Sequence, residues 1–421
     1  MNKEKLLIKR YKAEKRFQFY GKAAITVSLM FLFVFIFQIF SKGYTAFQKT
    51  WLYVEVTYDQ EMLGVKGKIA SVEEIEALDF YELATSSLLK LDANVSRGNK
   101  RDIIKMFAYT FEEEIKDYLL RNPQYLGKNV TVPLTASDDL DQVYKGNYPR
   151  DIPEERRRVN NYQLKLFDEM TSRGHVSSSF NLSFFTNADS REAELAGIAS
   201  SLVGSIYSIL VCLLFSFPIA VAAGIYLEEF APHNWFTDFL EVNINNLAAV
   251  PSIVFGLLGL GVLLAIFDLP RSTPLVGGIT LSLMTLPTII IACRASLKAV
   301  PPSIKEAALA MGASKMQTTF HHTVPLSMPG TLSGTIIGLA QALGETAPLI
   351  LIGMVAFINT VPGTPVDPAA SLPVQIYIWS ESAERGFVEK VSACIMVLMV
   401  FLVTMNLGAQ TLRYKLEKKW S

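Results

Sequence analysis

Gln341, Glu345 and Thr346 are polar residues set in an apolar run of this 421-residue chain. Gln341 and Glu345 are four apart, a spacing that puts both on one face of a helix. An acid at that depth is costly, so Glu345 belongs either to a path for a polar solute or to a structural hydrogen-bond network. Thr346 adds a hydroxyl. Pro348 interrupts the backbone ladder, which is tolerated better beside a cavity than in lipid. Gly330, Gly334 and Gly338, then Ala342, lead into the same run at four-residue steps. Small residues so spaced let membrane helices approach closely, and helix packing is the role expected of these glycines.

A second polar feature, Glu306-Ala307-Ala308-Leu309-Ala310-Met311-Gly312, lies between two long apolar runs. Ser303 is placed to cap a helix. Ile304, Ala307, Ala308 and Met311 recur at helical spacing, Lys305 and Glu306 face elsewhere, and Gly312 permits the turn that ends the helix. A short helix with one apolar face at a membrane surface suits a groove on a soluble partner, or the lipid interface itself. His321 and His322 follow, but adjacent histidines point apart on a helix. No metal site and no catalytic group is expected. No Gly-x-x-x-x-Gly-Lys-[Ser/Thr] loop is present to cradle ATP, so this chain is expected to carry no cofactor and to be no enzyme.

Hydrophobic residues make up 50% of the chain, charged residues 19%, and the mean hydropathy is +0.29. That is too apolar for an ordinary soluble domain and too charged for spans alone, so membrane helices plus one soluble domain are expected. Zero net charge gives no ground for a nucleic-acid partner. Cys212, Cys293 and Cys394 all fall in apolar runs, so no disulfide is expected.

Six apolar runs read as spans: 23–41, Leu202–Leu227, Leu247–Phe267, Leu275–Cys293, Leu332–Phe357 and Val391–Leu407. Lys3, Lys5, Lys9, Arg10, Lys12, Lys15, Arg16 and Lys22 outnumber Glu4 and Glu14 before the first, placing residues 1–22 in the cytoplasm. A cleaved signal peptide is the rival reading; the long basic leader and the lack of a small-x-small site favour a retained span. An even count returns the tail, 413–421, to the cytoplasm. It is basic through Arg413, Lys415, Lys418 and Lys419. The segment 294–328 around Glu306 then also faces the cytoplasm.

Residues 42–195 form an extracytoplasmic insertion, periplasmic in a Gram-negative cell. Thr50–Tyr58 reads as a strand, Ser71-Val72-Glu73-Glu74 as a capping box opening a helix towards Leu91, and Asn99–Arg121 as a second helix. A third runs from Pro153 to Arg173 and ends at Gly174. Asn129–Pro133 and Phe180–Phe185 read as short strands, giving an α/β or α+β unit. His175 is its one histidine. Arg156, Arg157 and Arg158 after Glu154 and Glu155 read as a solvated helix face, or as a patch attracting an anion or its carrier protein.

Glu306, Ala307, Ala308 and Gly312, followed after nine residues by His322, Val324 and Pro325, resemble the ATPase-coupling loop of ABC importer permeases, Glu-Ala-Ala-x-x-x-Gly and then Ile-x-Leu-Pro. The Pro matches; His322 and Val324 stand where the family has Ile and Leu. Gly344-Glu345-Thr346-Ala347-Pro348-Leu349 resembles the signature of phosphate importer permeases of the PstA type. Pro218–Glu229, Asn246–Leu260 and Leu286–Ile290 agree, so the resemblance covers about residues 196–412. The family usually has an arginine shortly before Gly-Glu-Thr, where this chain has Gln341. The anion's positive charge then falls to a partner permease, Arg294 or Arg271, or Gln341 and Thr346 pass it by hydrogen bonds.

The resemblance implies a mainly α membrane protein of the bacterial cytoplasmic (inner) membrane, with six transmembrane helices in a type I, MetI-like permease core. It implies translocation of inorganic phosphate, with a second permease of the PstC type, an ATPase dimer of the PstB type holding ATP and magnesium, and a PstS-type phosphate-binding protein. Membrane lipid surrounds the rest. Sulfate or phosphonate is an alternative cargo, and a membrane sensor with 42–195 as its ligand-binding head an alternative class.

Overall fold

The computed structural model describes residues 3–64, 72–92, 96 and 98–417. Helix α1 (Lys3–Gly43) is one helix of 41 residues, about 60 Å long at 1.5 Å per residue. Its apolar stretch is largely uncovered by the rest of the chain. At its C-terminal end Gly43 meets the last helix so closely that a Cβ there would lie 2.8 Å from the Met396 sulfur.

An α+β unit follows: β1 (Gln48–Thr57), α2 (Val72–Glu76), α3 (Tyr81–Leu89), α4 (Lys100–Ile104), α5 (Phe111–Arg121), β2 (Asn129–Thr135), α6 (Asp138–Tyr144), α7 (Asn161–Ser172), β3 (Val176–Phe180) and α8 (Ser183–Thr186). The sheet is antiparallel in the order β2-β1-β3, with Val54 opposite Val132 and Leu52 opposite Val176. Period-two alternation turns Leu52, Val54 and Val56 into a core shared with Phe80, Leu83, Ile115, Leu119 and Phe167.

Several expected boundaries move. Ser71 lies outside the described residues, and the helix expected towards Leu91 is two pieces, α2 and α3. The expected helix Asn99–Arg121 is also two, α4 and α5, because Phe107 between them bridges to Ala136. The third helix starts at Asn161, not Pro153: Asn160 and Gln163 form a reciprocal capping box that fixes its start. The arginines before it therefore do not share a helix face with Glu154 and Glu155. Arg157 donates to Asn161, and the Arg158 backbone N–H donates to the Tyr148 hydroxyl. Phe180 closes β3, and 183–186 are helical rather than extended.

The membrane part contains α9 (Ala199–Ile225), α10 (Trp235–Leu247), α11 (Ser252–Leu258), α12 (Pro274–Lys298), α13 (Pro302–Ala310), α14 (Lys315–Thr318), α15 (Val324–Gly344), α16 (Ala347–Leu351), α17 (Leu372–Ser380) and α18 (Gly386–Glu417). Among the described residues four stretches are long and apolar enough to cross a membrane: Leu7–Phe47, Ala199–Phe230, Pro274–Lys298 and Gly386–Lys415. The other two expected spans are broken. Expected Leu247–Phe267 is α11 with a π turn to Leu264, entered from α10 through a 105° bend. Expected Leu332–Phe357 is interrupted at Glu345, which is extended (φ −78°, ψ 125°) between α15 and α16. Pro348 would clash with the carbonyl of residue 344 in a continuous helix. Proline alone does not decide this, since Pro218, Pro287 and Pro329 sit inside continuous helices. Gly344, with no side chain to hold the last turn, lowers the cost of leaving it.

α12 is the centre of the helical part, packed between α9 and α15. A Cβ on Gly278 would lie 2.5 Å from Val211 Cβ, and one on Gly224 2.9 Å from Cys293 Cβ. The expected packing glycines of α15 meet α12: Gly330 against Ser296, Gly334 against Ala292, and Gly338 more loosely, 3.7 Å from Ile289. The two broken elements pack on each other, since a Cβ on Gly256 would lie 2.7 Å from Pro348 Cα.

The α+β unit rests on the start of α18, where the Gly386 N–H donates to Asp138 at 3.1 Å. Burial pushes the Asp138 carboxyl up to about 7, with further raising by Glu194, Asp139 and Asp141 against the Gly386 hydrogen bond. Burial likewise pushes Glu194 up to about 7. Both groups hold a proton in the fold that they release when unfolded. Their stabilisation is thus fully present below the ordinary carboxylate range, about pH 4, and is lost as pH rises to about 7. In Asp138→Asn the melting temperature should fall less between about pH 5 and 8 than in the parent protein. Identical slopes would contradict this.

Candidate functional site

α13 begins at Pro302, whose fixed φ and missing N–H suit the first helical position, so Ser303 lies inside the first turn and does not cap it. It ends as the sequence predicts. Gly312 takes φ +89°, its N–H bonds to Leu309 O, and Ala313 N–H bonds to Ala308 O at 3.1 Å. Ser314 and Gln317 then form a capping box for α14, and a π turn over Thr319–Thr323 leads into α15.

No residue of α13 is fully buried. Ile304, Lys305 and Ala308 are half-buried against the other helices, while Glu306, Ala307 and Ala310 face out. Leu309 and Met311 are 50% and 89% exposed, and Met316 and Phe320 continue the apolar surface. The apolar face is thus split: part holds the helix down and part is presented outward. His321 and His322 are both exposed and, among the described residues, no group of side chains that could hold a metal is found.

Lys305, expected to face away, reaches Glu229 at 2.6 Å. Glu228 and Glu229 lie on a π turn, Tyr226–Phe230, that ends α9. Glu229 takes Lys305 of α13. Glu228 takes Arg294 at 3.4 Å and Lys298 at 3.6 Å, both on α12. Arg294 also pairs with Glu241 of α10 at 2.6 Å. Lys315 stands 5.5 Å above the Phe230 ring. Charges therefore join α9, α10, α12, α13 and α14 at one end of the bundle. Sequence reading missed this network. Its signal was two consecutive acids closing one span and Arg294 and Lys298 closing another.

About 30 Å away along α15, at 1.5 Å per residue, lies the break. The helix stops at Gly344, so Glu345 is not in helical register with Gln341 as their spacing had suggested. Gln341 and Gly344 are exposed, Glu345 and Thr346 half-buried, and nothing lies within 4 Å of where a Gly344 Cβ would stand. The space beside Gly344, between Gln341 and Glu345 in the chain, is thus left open. Beyond α16, Gly353 takes φ +94° and its carbonyl accepts from Ser272 Oγ at 2.5 Å. Arg271, next to Ser272, is exposed and makes no ion pair among the described residues. Arg294 is occupied by its two carboxylates, which removes it as a free cation.

Residues 216–418 match the family described as "Binding-protein-dependent transport system inner membrane component", and residues 4–154 match a domain of unknown function, DUF3333. Among curated relatives, the probable ABC transporter permease protein YqgI of Bacillus subtilis is 28% identical over 58% of this chain and 86% of its own length. YqgH of the same organism, also a probable ABC transporter permease protein, is 30% identical over 49% of this chain and 68% of its own length. The phosphate transport system permease protein PstA 1 of Mycobacterium tuberculosis is 29% identical over 52% of this chain and 71% of its own. The family match, residues 216–418, spans α13, the ion-pair network and the break. This chain belongs to the binding-protein-dependent transport system inner membrane components, as an ABC transporter permease of the PstA type preceded by an additional N-terminal domain.

Proposed function

We propose that this chain carries inorganic phosphate inward across the cytoplasmic membrane, driven by ATP hydrolysed on a separate ATPase dimer bound at α13. The observation that carries the reading is α13 itself, a short helix that presents Leu309 and Met311 outward while Lys305 ties it to the permease. The Gly344-Glu345-Thr346 break and the likeness to proteins named for phosphate transport support the cargo. The basic N-terminus supports an orientation with α13 and both termini in the cytoplasm. A PstC-type second permease would complete the path on the uncovered side of Gln341 and Glu345, and a PstS-type protein would deliver phosphate outside.

The chemistry is positional. Closure of the ATPases moves α13; the Lys305–Glu229 pair passes that motion to α9, and Glu228 passes it to α12 through Arg294 and Lys298. α12 and α15 are packed too closely to slide independently, so the break at Glu345 moves with them. A partly exposed ion pair stabilises a fold by only ~1 kcal/mol. Lys305 therefore matters for transmission more than for folding. At the break, Gln341 and Thr346 supply hydrogen bonds without charge, and Arg271 supplies the cation near the far end of α16.

Glu306→Lys should abolish uptake while the protein still inserts; normal ATPase co-purification with normal transport would remove the docking role. Lys305→Ala should lower uptake about fivefold or more, the lower end of typical coupling energies, with little change in melting temperature. The exchange Lys305→Glu with Glu229→Lys should recover part of it, and failure of both effects would sink the transmission role. Arg271→Gln should raise the phosphate concentration for half-maximal uptake about tenfold, as loss of one charged hydrogen bond allows. An unchanged value would place the cation elsewhere.

A further inference from the structure

The α+β unit is joined to α18 by a closed set of buried charges. Lys145, at the end of α6, reaches Asp141 at 2.6 Å and Glu389 of α18 at 2.7 Å, and the Lys145 and Glu389 side chains are only 2% and 5% exposed. The remaining carboxylate oxygens are also satisfied. The Thr50 N–H donates to Asp141 at 3.1 Å; Thr45 Oγ1 and Asn147 Nδ2 donate to the second Glu389 oxygen at 2.6 and 3.4 Å. Burial pulls the Lys145 ammonium down, but Asp141 and Glu389 outweigh it and hold its pKa above the ordinary value. Around this set, Gly386 is bonded to Asp138, Lys390 donates to the Ala196 carbonyl at 2.5 Å, and Gly43 abuts Ala393.

The first two turns of α18 are thus gripped by the end of α1, by α6 and by the linker into α9. A buried ion pair adds little net stability over apolar packing, whereas a fully satisfied one fixes a single geometry. A head that swings on a tether would keep such charges in water. We propose that the α+β unit, in its described residues between Tyr44 and Ile198, is a rigid brace that fixes the C-terminal end of α1 to the N-terminal end of α18. It moves with both as one body through the working cycle, rather than parting from the permease as a mobile ligand-binding head.

The test is a cysteine pair, Asp138→Cys with Gly386→Cys, in the complete transporter. Native Cys212, Cys293 and Cys394 are buried and do not compete. The brace predicts that the disulfide forms in the resting transporter and that oxidation leaves uptake at its reduced level. Uptake stopped by oxidation and restored by reduction would overturn it, as would a bond that does not form. If the double variant fails to insert, spin labels at exposed positions Val388→Cys and Glu155→Cys decide. Their separation should stay constant between the nucleotide-free and ATP-trapped states; a change of about 5 Å or more, one helical turn, would overturn the brace. The label measurement requires no cargo, so its result is separate from that of the phosphate assignment.

Discussion

The contact between Lys305 and Glu229, at 2.6 Å, joins the outward-facing helix α13 to the π turn that ends α9. The half-buried Ile304 and Ala308 also hold α13 against the helices, but Lys305–Glu229 is its ion pair to α9. Glu229 sits beside Glu228, and the π turn sends the two acids to different helices. Adjacent carboxylates normally repel. Here each is compensated, Glu229 by Lys305 of α13 and Glu228 by Arg294 and Lys298 of α12, so the turn joins two elements.

The second constraint is close packing around two interrupted helices. α12 is flanked by Gly224 of α9 and Gly334 of α15, where a Cβ would collide with Cys293 and Ala292, so the three helices pack at close range. α11 and α16 are short, and they lie against each other at Gly256 and Pro348. Broken backbone is tolerated at membrane depth where it is covered by protein or lines a polar cavity. α16 meets the first condition through Gly256. The spot beside Gly344 is left open by this chain, which suits a path completed by a second subunit.

Continuous apolar runs were legible in the sequence, so the expected spans Leu202–Leu227 and Leu275–Cys293 lie close to α9 and α12, whereas α1 begins well before the expected 23–41 and α18 extends beyond Val391–Leu407 at both ends, because the polar turns that continue these helices carry no apolar signal. Local signals were legible too: Gly312 at the end of α13, the alternation of β1, the small-residue steps of α15. α10 was not, because Asp238, Glu241 and Asn243 make it read as a loop, and Glu241 makes sense only once Arg294 of α12 stands against it. The helix expected over Asn99–Arg121 kept a helical spacing through Phe107, and the bridge to Ala136 that breaks it is a contact from a distant strand. Glu389 and Lys145 are 244 residues apart, and no pattern on either side announces the pair. Contacts made by folding, rather than periodicity, account for most of what sequence reading missed, including the role of Lys305.

The central claim is that this chain conducts inorganic phosphate under the drive of a separate ATPase. The most direct measurement is radioactive phosphate uptake in cells stripped of their other phosphate uptake systems, with and without this chain, at excess sulfate and phosphonate. The account predicts uptake that appears only with the chain present, depends on ATP and is unaffected by the competing anions. Uptake equal in both strains, or abolished by sulfate or phosphonate, would contradict it.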